Sequence, residues 1–263
     1  MQKLAVNPFT QALKERRTQI GLWSSLCSNL CAEVIAPSGY DWVLIDMEHS
    51  PNDLQSVMSQ LQVYEASNTL AIVRPQWNDS VLIKRLLDLG VPGLLIPMVQ
   101  NIEEAKLAVA ATRYPPKGMR GVAGSSRATK FGRISDYVSE VENQTTVILQ
   151  LETISALAHA EEISQLDGVS GILFGPGDIA ADMGLVGQPM NDAVWDKILP
   201  VADQLIANDI AVGTLVLDSA FATKLFNRGF SFVACGADTA LFANAADQLL
   251  ADVKQGLTKK ISA

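Results

Sequence analysis

Histidine and cysteine are scarce in this 263-residue chain, with two of the former and three of the latter. Cys27, Cys31 and Cys235 are odd in number and form no C-x-x-C pair, which argues against a disulfide framework or a zinc site. Their expected role is that of small, reduced, buried side chains. Basic blocks are missing as well. Lys and Arg total 20 against 28 Asp and Glu, a formal net charge of −8, so nucleic acid and anionic membrane are poor partners. No uninterrupted apolar stretch reaches transmembrane length. The opening residues, MQKLAVNPFTQALKERRTQIG, lack the apolar core and small-residue cleavage site of a secretory signal. Together these absences predict a cytoplasmic protein that works on small molecules.

Short apolar runs are abundant. They are IGLWSSL (20–26), WVLID (42–46), LAIVRP (70–75), GLLIPM (93–98), TVILQLE (146–152), SGILFGP (170–176), IAVGTLV (210–216) and FSFVACG (230–236). Each is continuous in hydrophobicity, as parallel strands covered on both faces require. Between them lie helical patterns with start and stop signals. Ser50-Pro51-x-Asp53 predicts an N-cap, a first-turn proline and a third-position acid. Asn78-Asp79 opens VLIKRLLDLG, which closes at Gly90, and Asn101-x-x-Glu104 opens a helix that Pro115-Pro116 stops. Helices are further predicted over 189–209, with Pro200 inside, over 219–229 and over 241–257. Strand and helix alternating eight times predict one α/β domain, a (β/α)8 TIM barrel with its core over about 20–246. The rival, a doubly wound sheet, would carry a Gly-rich phosphate loop after its first strand, where GLWSSLCSN stands instead. The longest irregular segment, PPKGMRGVAGSSRATKFGRIS (115–135), is rich in Gly, Ser and basic residues, and long loops are often functional.

Barrel active sites lie at the C-terminal ends of the strands. There strand two ends in Asp46, Glu48 and His49, strand three in Arg74, strand five in Gln150 and Glu152, and strand six in Gly175-Pro176-Gly177-Asp178. Glu152 and Asp178, from neighbouring strands, suit a hard divalent cation whose other positions go to water or substrate oxygens. The alternative is that one of them balances Arg74 in a structural pair. Backbone N–H groups of the Gly-Pro-Gly turn suit a small carboxylate. Arg74 is a candidate stabiliser of a developing oxyanion, and His49 a candidate base. Trp23 either walls the pocket or fills the core, and His159, in a polar helical stretch, has no expected role. Lys84, Lys106, Lys197 and Lys224 all fall in helical segments, which argues against Schiff-base chemistry and toward a metal enolate.

Taken together, GLW (21–23), DWVLIDMEHSPND (41–53), VRPQWND (73–79), LLIPMVQN (94–101), TRYPPKGMRGV (112–122), QLET (150–153) and GPGDIAADMG (175–184) resemble the HpcH/HpaI family of metal-dependent, class II pyruvate aldolases, from about Gly21 to Ala246. The resemblance implies reversible cleavage of a 4-hydroxy-2-oxo acid to pyruvate and an aldehyde through a metal-bound pyruvate enolate. It implies a divalent metal (Mg²⁺, Mn²⁺ or Co²⁺) on Glu152 and Asp178, and no organic cofactor. By the same likeness Arg74 steadies the enolate, His49 performs the acid–base step, and Asp88 reaches that histidine from a neighbouring subunit. Asp46 supports them, Gln150 touches pyruvate, and the Gly175-Pro176-Gly177-Asp178 backbone binds its carboxylate. Members are homohexamers, trimers of dimers, that exchange the last barrel helix. This chain departs at Gly177, where Ala or Ser is usual, which is expected to loosen the turn, and at Ser50. A CoA-thioester lyase of the same barrel superfamily, using basic residues of 117–133 for the CoA phosphates, and a non-catalytic acid-binding barrel are the alternatives.

Overall fold

A computed structural model of the chain describes residues 2–261. All eight apolar runs form strands: β1 (Gln19–Ser24), β2 (Trp42–Asp46), β3 (Leu70–Arg74), β4 (Gly93–Ile96), β5 (Thr146–Leu151), β6 (Gly171–Phe174), β7 (Val212–Leu215) and β8 (Phe232–Ala237). They pair in parallel and in chain order, and β8 returns to β1 to close the barrel. Helices connect the strands, so the architecture is the expected (β/α)8 barrel.

Alternation along each strand sorts the side chains. Val43, Ile45, Val73, Leu149 and Ile172 pack outward against the helices. Trp42, Leu44, Ile72, Leu95, Ile148, Leu173 and Phe232 fill the interior, as strand pleating requires. Trp42 is accommodated by Gly21 on the neighbouring strand, where a Cβ would stand 2.2 Å from the indole. The helix Pro8–Lys14, which no sequence pattern announced, plugs the N-terminal mouth. Its Phe9 ring lies 5.6 Å from that of Trp42 and 6.2 Å from that of Phe232.

Several local expectations are corrected. The helix after β2 is Leu54–Tyr64 and its cap is Asp53, which accepts from Gln55 N and Ser56 N. Ser50 and Asn52 instead donate to the Asp46 carbonyl and hold the chain against the rim. Strand six stops at Phe174, and Pro176 opens the helix Pro176–Asp182. The last helix is Asp238–Ile261, longer than predicted. The three cysteines are free but half-buried rather than buried. Segment 115–135 follows the helix Ile102–Thr112, which runs back from the strands' C-terminal ends. It therefore lies at the N-terminal side of the barrel, tied to the end of helix Ser80–Asp88 by Ala128 N–H to Asp88 O at 3.1 Å and Arg127 Nη1 to Leu89 O at 2.7 Å.

Candidate active site

The inner face of the wall changes character at its C-terminal end. Positions 42, 44 and 46, then 72 and 74, then 148, 150 and 152 point inward in turn. The last of each set is polar: Asp46, Arg74, and Gln150 with Glu152. Asp46 and Arg74 are register partners on β2 and β3. Their side chains join by two hydrogen bonds, Arg74 Nε to Asp46 Oδ1 at 2.8 Å and Nη2 to Oδ2 at 2.7 Å. Both are buried. Trp23, at the end of β1, donates its indole N–H to Asp46 Oδ2 at 3.3 Å and lies 4.8 Å from the guanidinium carbon. Trp23 thus belongs at once to the barrel core and to the rim. Burial alone would raise the Asp46 pKa. The hydrogen bonds and charge of Arg74, helped by N–H groups of Glu48 and Trp23, outweigh it and hold the carboxyl below its ordinary value.

Across the mouth, Glu152 is 2% exposed. Gln150 Nε2 donates to its Oε2, and Met98 N–H to its Oε1 at 2.7 Å. Met98 adopts a left-handed backbone (φ 54°), uncommon for a side chain of its size. Burial pushes Glu152 up to about 7 against the pull of those two donors, and the nearby charges of Glu48 and Asp178 push the same way. Gly175 faces this carboxylate so closely that a Cβ there would lie 2.9 Å from Glu152 Oε2. Gly175 caps the helix Pro176–Asp182, with proline at its first position. The N–H groups of Gly177 and Asp178 therefore precede any intrahelical acceptor and are open to an anion. Gly177 sits in the first helical turn, not in a loose turn, and a Cβ there would meet nothing within 4 Å.

Glu48 is half-buried, with its Oε2 2.7 Å from Arg74 Nη1 and 3.8 Å from His49 Nε2. The contact with Arg74 is an ion pair without hydrogen-bond alignment, and Oε2 has no hydrogen-bond partner. Burial raises the Glu48 pKa, opposed by Arg74 and His49 and reinforced by Asp46 and Asp178. The His49 side chain is 67% exposed on the rim. Asp88 is not brought here. It ends helix Ser80–Asp88 at the opposite side of the barrel, where buried Arg120 donates to its Oδ1 at 2.9 Å.

Among the described residues no three or more His, Cys, Asp or Glu side chains are grouped to hold an ion unaided. The rim nevertheless fits a divalent cation held by Glu152 and Asp178 with water and substrate oxygens. Asp46 and Glu48 both pair with Arg74, and burial, reinforced by neighbouring carboxylates that include Asp178, raises the pKa of Glu48 and of Glu152. Gln150 Oε1 is a buried acceptor still without a donor, suited to such a water or to a substrate hydroxyl. Sequence reasoning missed Met98, because a backbone donor leaves no mark in residue type. It also assigned no role to Glu48.

A family model described as HpcH/HpaI aldolase/citrate lyase matches residues 19–245. The chain is 45% identical over 257 residues to the 4-hydroxy-2-oxo-heptane-1,7-dioate aldolase of Salmonella arizonae, covering 97% of each. It is 45% identical over 249 residues to a protein named pyruvate aldolase from Rhizobium etli, covering 95% of this chain and 98% of that one. A crystal structure of an HpcH/HpaI aldolase/citrate lyase family protein from Burkholderia cenocepacia superposes with a TM-score of 0.91 at 35% identity, over 95% of this chain and 100% of that one.

Proposed function

The chain belongs to the HpcH/HpaI aldolase/citrate lyase family, and on that premise we propose that it is a pyruvate aldolase, a carbon–carbon lyase that reversibly cleaves a 4-hydroxy-2-oxo acid to pyruvate and an aldehyde. The observation that carries this reading is the meeting of Arg74, Gln150 and Glu152 on one inner rim, beside His49 and the first turn of helix Pro176–Asp182.

The pyruvate carboxylate is received by the N–H groups of Gly177 and Asp178, with Gln150 and Trp23 bounding the oxo-acid. A divalent cation, Mg²⁺, Mn²⁺ or Co²⁺, held by Glu152 and Asp178 would supply Lewis-acid polarisation of the C2 carbonyl. His49 takes the proton of the C4 hydroxyl. The C3–C4 electron pair moves toward C2, C4 leaves as the aldehyde, and the C2 oxygen gains charge. Arg74 stabilises that charge from a fixed position, since Asp46 clamps two of its donors. Protonation at C3 gives pyruvate.

The active form is proposed to be a homo-oligomer, a hexamer built as a trimer of dimers. Helix Asp238–Ile261 carries Leu241, Phe242, Leu249, Leu250, Val253 and Leu257, all exposed in one chain, which supports its exchange onto a neighbouring barrel. Asp88, remote from its own rim, then acts on the His49 of a second chain. The CoA-lyase reading is weaker: its only candidate cations, in 117–133, are at the other end of the barrel, with Arg120 and Arg127 engaged by Asp88 and Glu65.

The test is pyruvate release from a panel of 4-hydroxy-2-oxo acids by EDTA-treated protein, with Mg²⁺, Mn²⁺ or Co²⁺ returned. Metal-restored release is expected. No pyruvate with any metal, or full activity in His49→Ala, would overturn the reading or the role of that histidine.

A further inference from the structure

We propose that Arg120 is a positioning residue for the acid–base step: it fixes the Asp88 carboxylate so that its free oxygen can take a ring N–H of His49 on a second chain. The inference rests on Asp88 acting in that way across the oligomer.

Asp88 stands where helix energetics disfavour it. It is the last residue of helix Ser80–Asp88, and the partial negative charge of a helix C-terminus repels a carboxylate. Its side chain is 26% exposed. Arg120 Nη2 donates to its Oδ1 at 2.9 Å, and among the described residues no other group bonds to this carboxylate. Oδ2 is left for a donor from outside the chain.

Arg120 is built to hold that carboxylate still. Its side chain is fully buried. The Tyr114 ring lies 4.7 Å from the guanidinium carbon and the Tyr137 ring 5.8 Å from it, and Nη2 also donates to the Tyr137 hydroxyl at 3.2 Å. The backbone is pinned to the end of helix Ile102–Thr112, with Met119 N–H to Ala110 O at 2.8 Å and Arg120 N–H to Arg113 O at 2.9 Å. At Gly118 a Cβ would stand 2.4 Å from Ala110 O, so the approach is as close as the chain permits. Nε and Nη1 meet no hydrogen-bond acceptor. A buried cation with two idle nitrogens is a poor source of stability, since an apolar side chain of similar volume often packs as well or better. The one charged group this cation engages is Asp88, and its use lies there.

The consequence follows from imidazole chemistry. With Oδ2 receiving one ring N–H of His49, the other ring nitrogen is left to take the C4 hydroxyl proton. The imidazolium so formed is met by the ionised Asp88, as the acid meets it in a Ser-His-Asp triad. A carboxylate free to swing would lose that alignment, and a misplacement of about 1 Å costs about 10²-fold in rate. Arg120 touches neither substrate nor His49 in this scheme.

The test is subunit complementation in the metal-loaded enzyme. Arg120→Met keeps the length and packs between the two rings without the charge. It is expected to lower kcat by on the order of 100-fold, with KM little changed. In an Asp88→Asn background the same substitution should have little further effect, because the group it positions is gone. Arg120→Met and His49→Ala chains, co-expressed with different affinity tags and isolated as mixed oligomers, should be far more active than the sum of the two alone. In such a mixture a site with His49 from the first chain and Asp88 held by Arg120 from the second is intact. An unchanged kcat in Arg120→Met overturns the proposal, as does a full additional loss in the Asp88→Asn background. Mixed oligomers no more active than their parts also overturn it, and would make Arg120 a prop of its own chain's fold. If Arg120→Met fails to fold, Arg120→Gln leaves a donor between the rings that is too short for Asp88, and the same loss and the same complementation are expected. Full activity in Asp88→Asn, or no regain when Asp88→Asn is paired with His49→Ala, sinks the parent reading. Regain in that pair with full activity in Arg120→Met sinks only this one.

Discussion

The two mouths of this barrel are built by the same eight strands under the same alternation, and they differ in almost everything else. At the N-terminal mouth the inward side chains are Trp42 and Phe232, sealed by Phe9 and Leu13 of helix Pro8–Lys14. Asn7 is fully engaged there: it accepts from Phe9 N and Thr10 N while donating to Pro92 O and Gln144 O. At the C-terminal mouth the inward side chains are Asp46, Arg74, Gln150 and Glu152, Gln150 Oε1 has no hydrogen-bond partner, and Glu48 Oε2 has only ion-pair contacts with Arg74 and His49. The first mouth spends apolar area on stability at about 25 cal/mol per Å². The second holds buried charge that helps the fold little and is poised for a ligand. A substitution at the N-terminal mouth should therefore cost stability and spare catalysis, and one at the C-terminal mouth should do the reverse.

Arg74→Met is the change that breaks this division most sharply. It removes the oxyanion partner, and kcat should fall by about 10²–10³. It also strands the Asp46 carboxylate, which is 1% exposed, at a cost of about 3–5 kcal/mol. Chemical unfolding should detect that loss, and Asp46→Asn in the same protein should restore part of the stability and none of the activity. Phe9→Ala comes next. It empties the plug of a ring that is 1% exposed, at about 3–5 kcal/mol, while kcat/KM of the protein that remains folded stays near its starting value. A comparable loss of turnover in Phe9→Ala would mean that the two mouths are coupled through the barrel interior.

How far each mouth could be read from sequence follows from the same contrast. The eight strands were legible because parallel strands covered on both faces are continuous apolar runs, and all eight formed. Asp46, Arg74, Gln150 and Glu152 were legible because each interrupts such a run at its C-terminal end. The plug was not: Pro8 to Lys14 is a short mixed segment whose Phe9 and Leu13 gain meaning only against Trp42 and Phe232, far along the chain. Ser50 was misread as a helix cap because Ser-Pro-x-Asp satisfies the local rule, yet Asp53 three residues on serves better and Ser50 is drawn to the Asp46 carbonyl. Segment 115–135 looked like a site loop from composition. Its side of the barrel was decided by its following a helix rather than a strand.

Acid and base conditions sharpen the comparison within the rim itself. Glu152 is raised to about 7 from an ordinary 4.5, so the metal-free fold favours its protonated form. That contribution is present in full below about pH 4.5 and is lost as pH rises through 7, a difference on the order of 3 kcal/mol. Asp46 is lowered, so its contribution is present above its unfolded value and is lost as pH falls. Urea unfolding of EDTA-treated protein should therefore give greater stability at pH 5 than at pH 8, and Glu152→Gln should remove most of that slope. A flat profile in the parent protein would mean that the carboxylate is ionised throughout, its burial offset by the donors on either side.

The smallest expected effect separates two glycines two residues apart. At Gly175 a Cβ would lie 2.8 Å from Glu152 Cβ and 2.9 Å from its Oε2, so Gly175→Ala must displace the carboxylate or the turn, at about 1–3 kcal/mol, and should weaken Mn²⁺ binding. At Gly177 the added methyl meets nothing within 4 Å and lies in the first turn of a helix, where alanine is favoured over glycine by up to about 1 kcal/mol. Gly177→Ala should thus raise the melting temperature slightly. If the pyruvate carboxylate is received by backbone N–H groups, KM should also be unchanged, because the substitution leaves those groups where they are. A rise in KM without loss of stability would instead mean that the space above Gly177 is occupied by substrate, and would move the carboxylate subsite from the backbone of this turn to the volume in front of it.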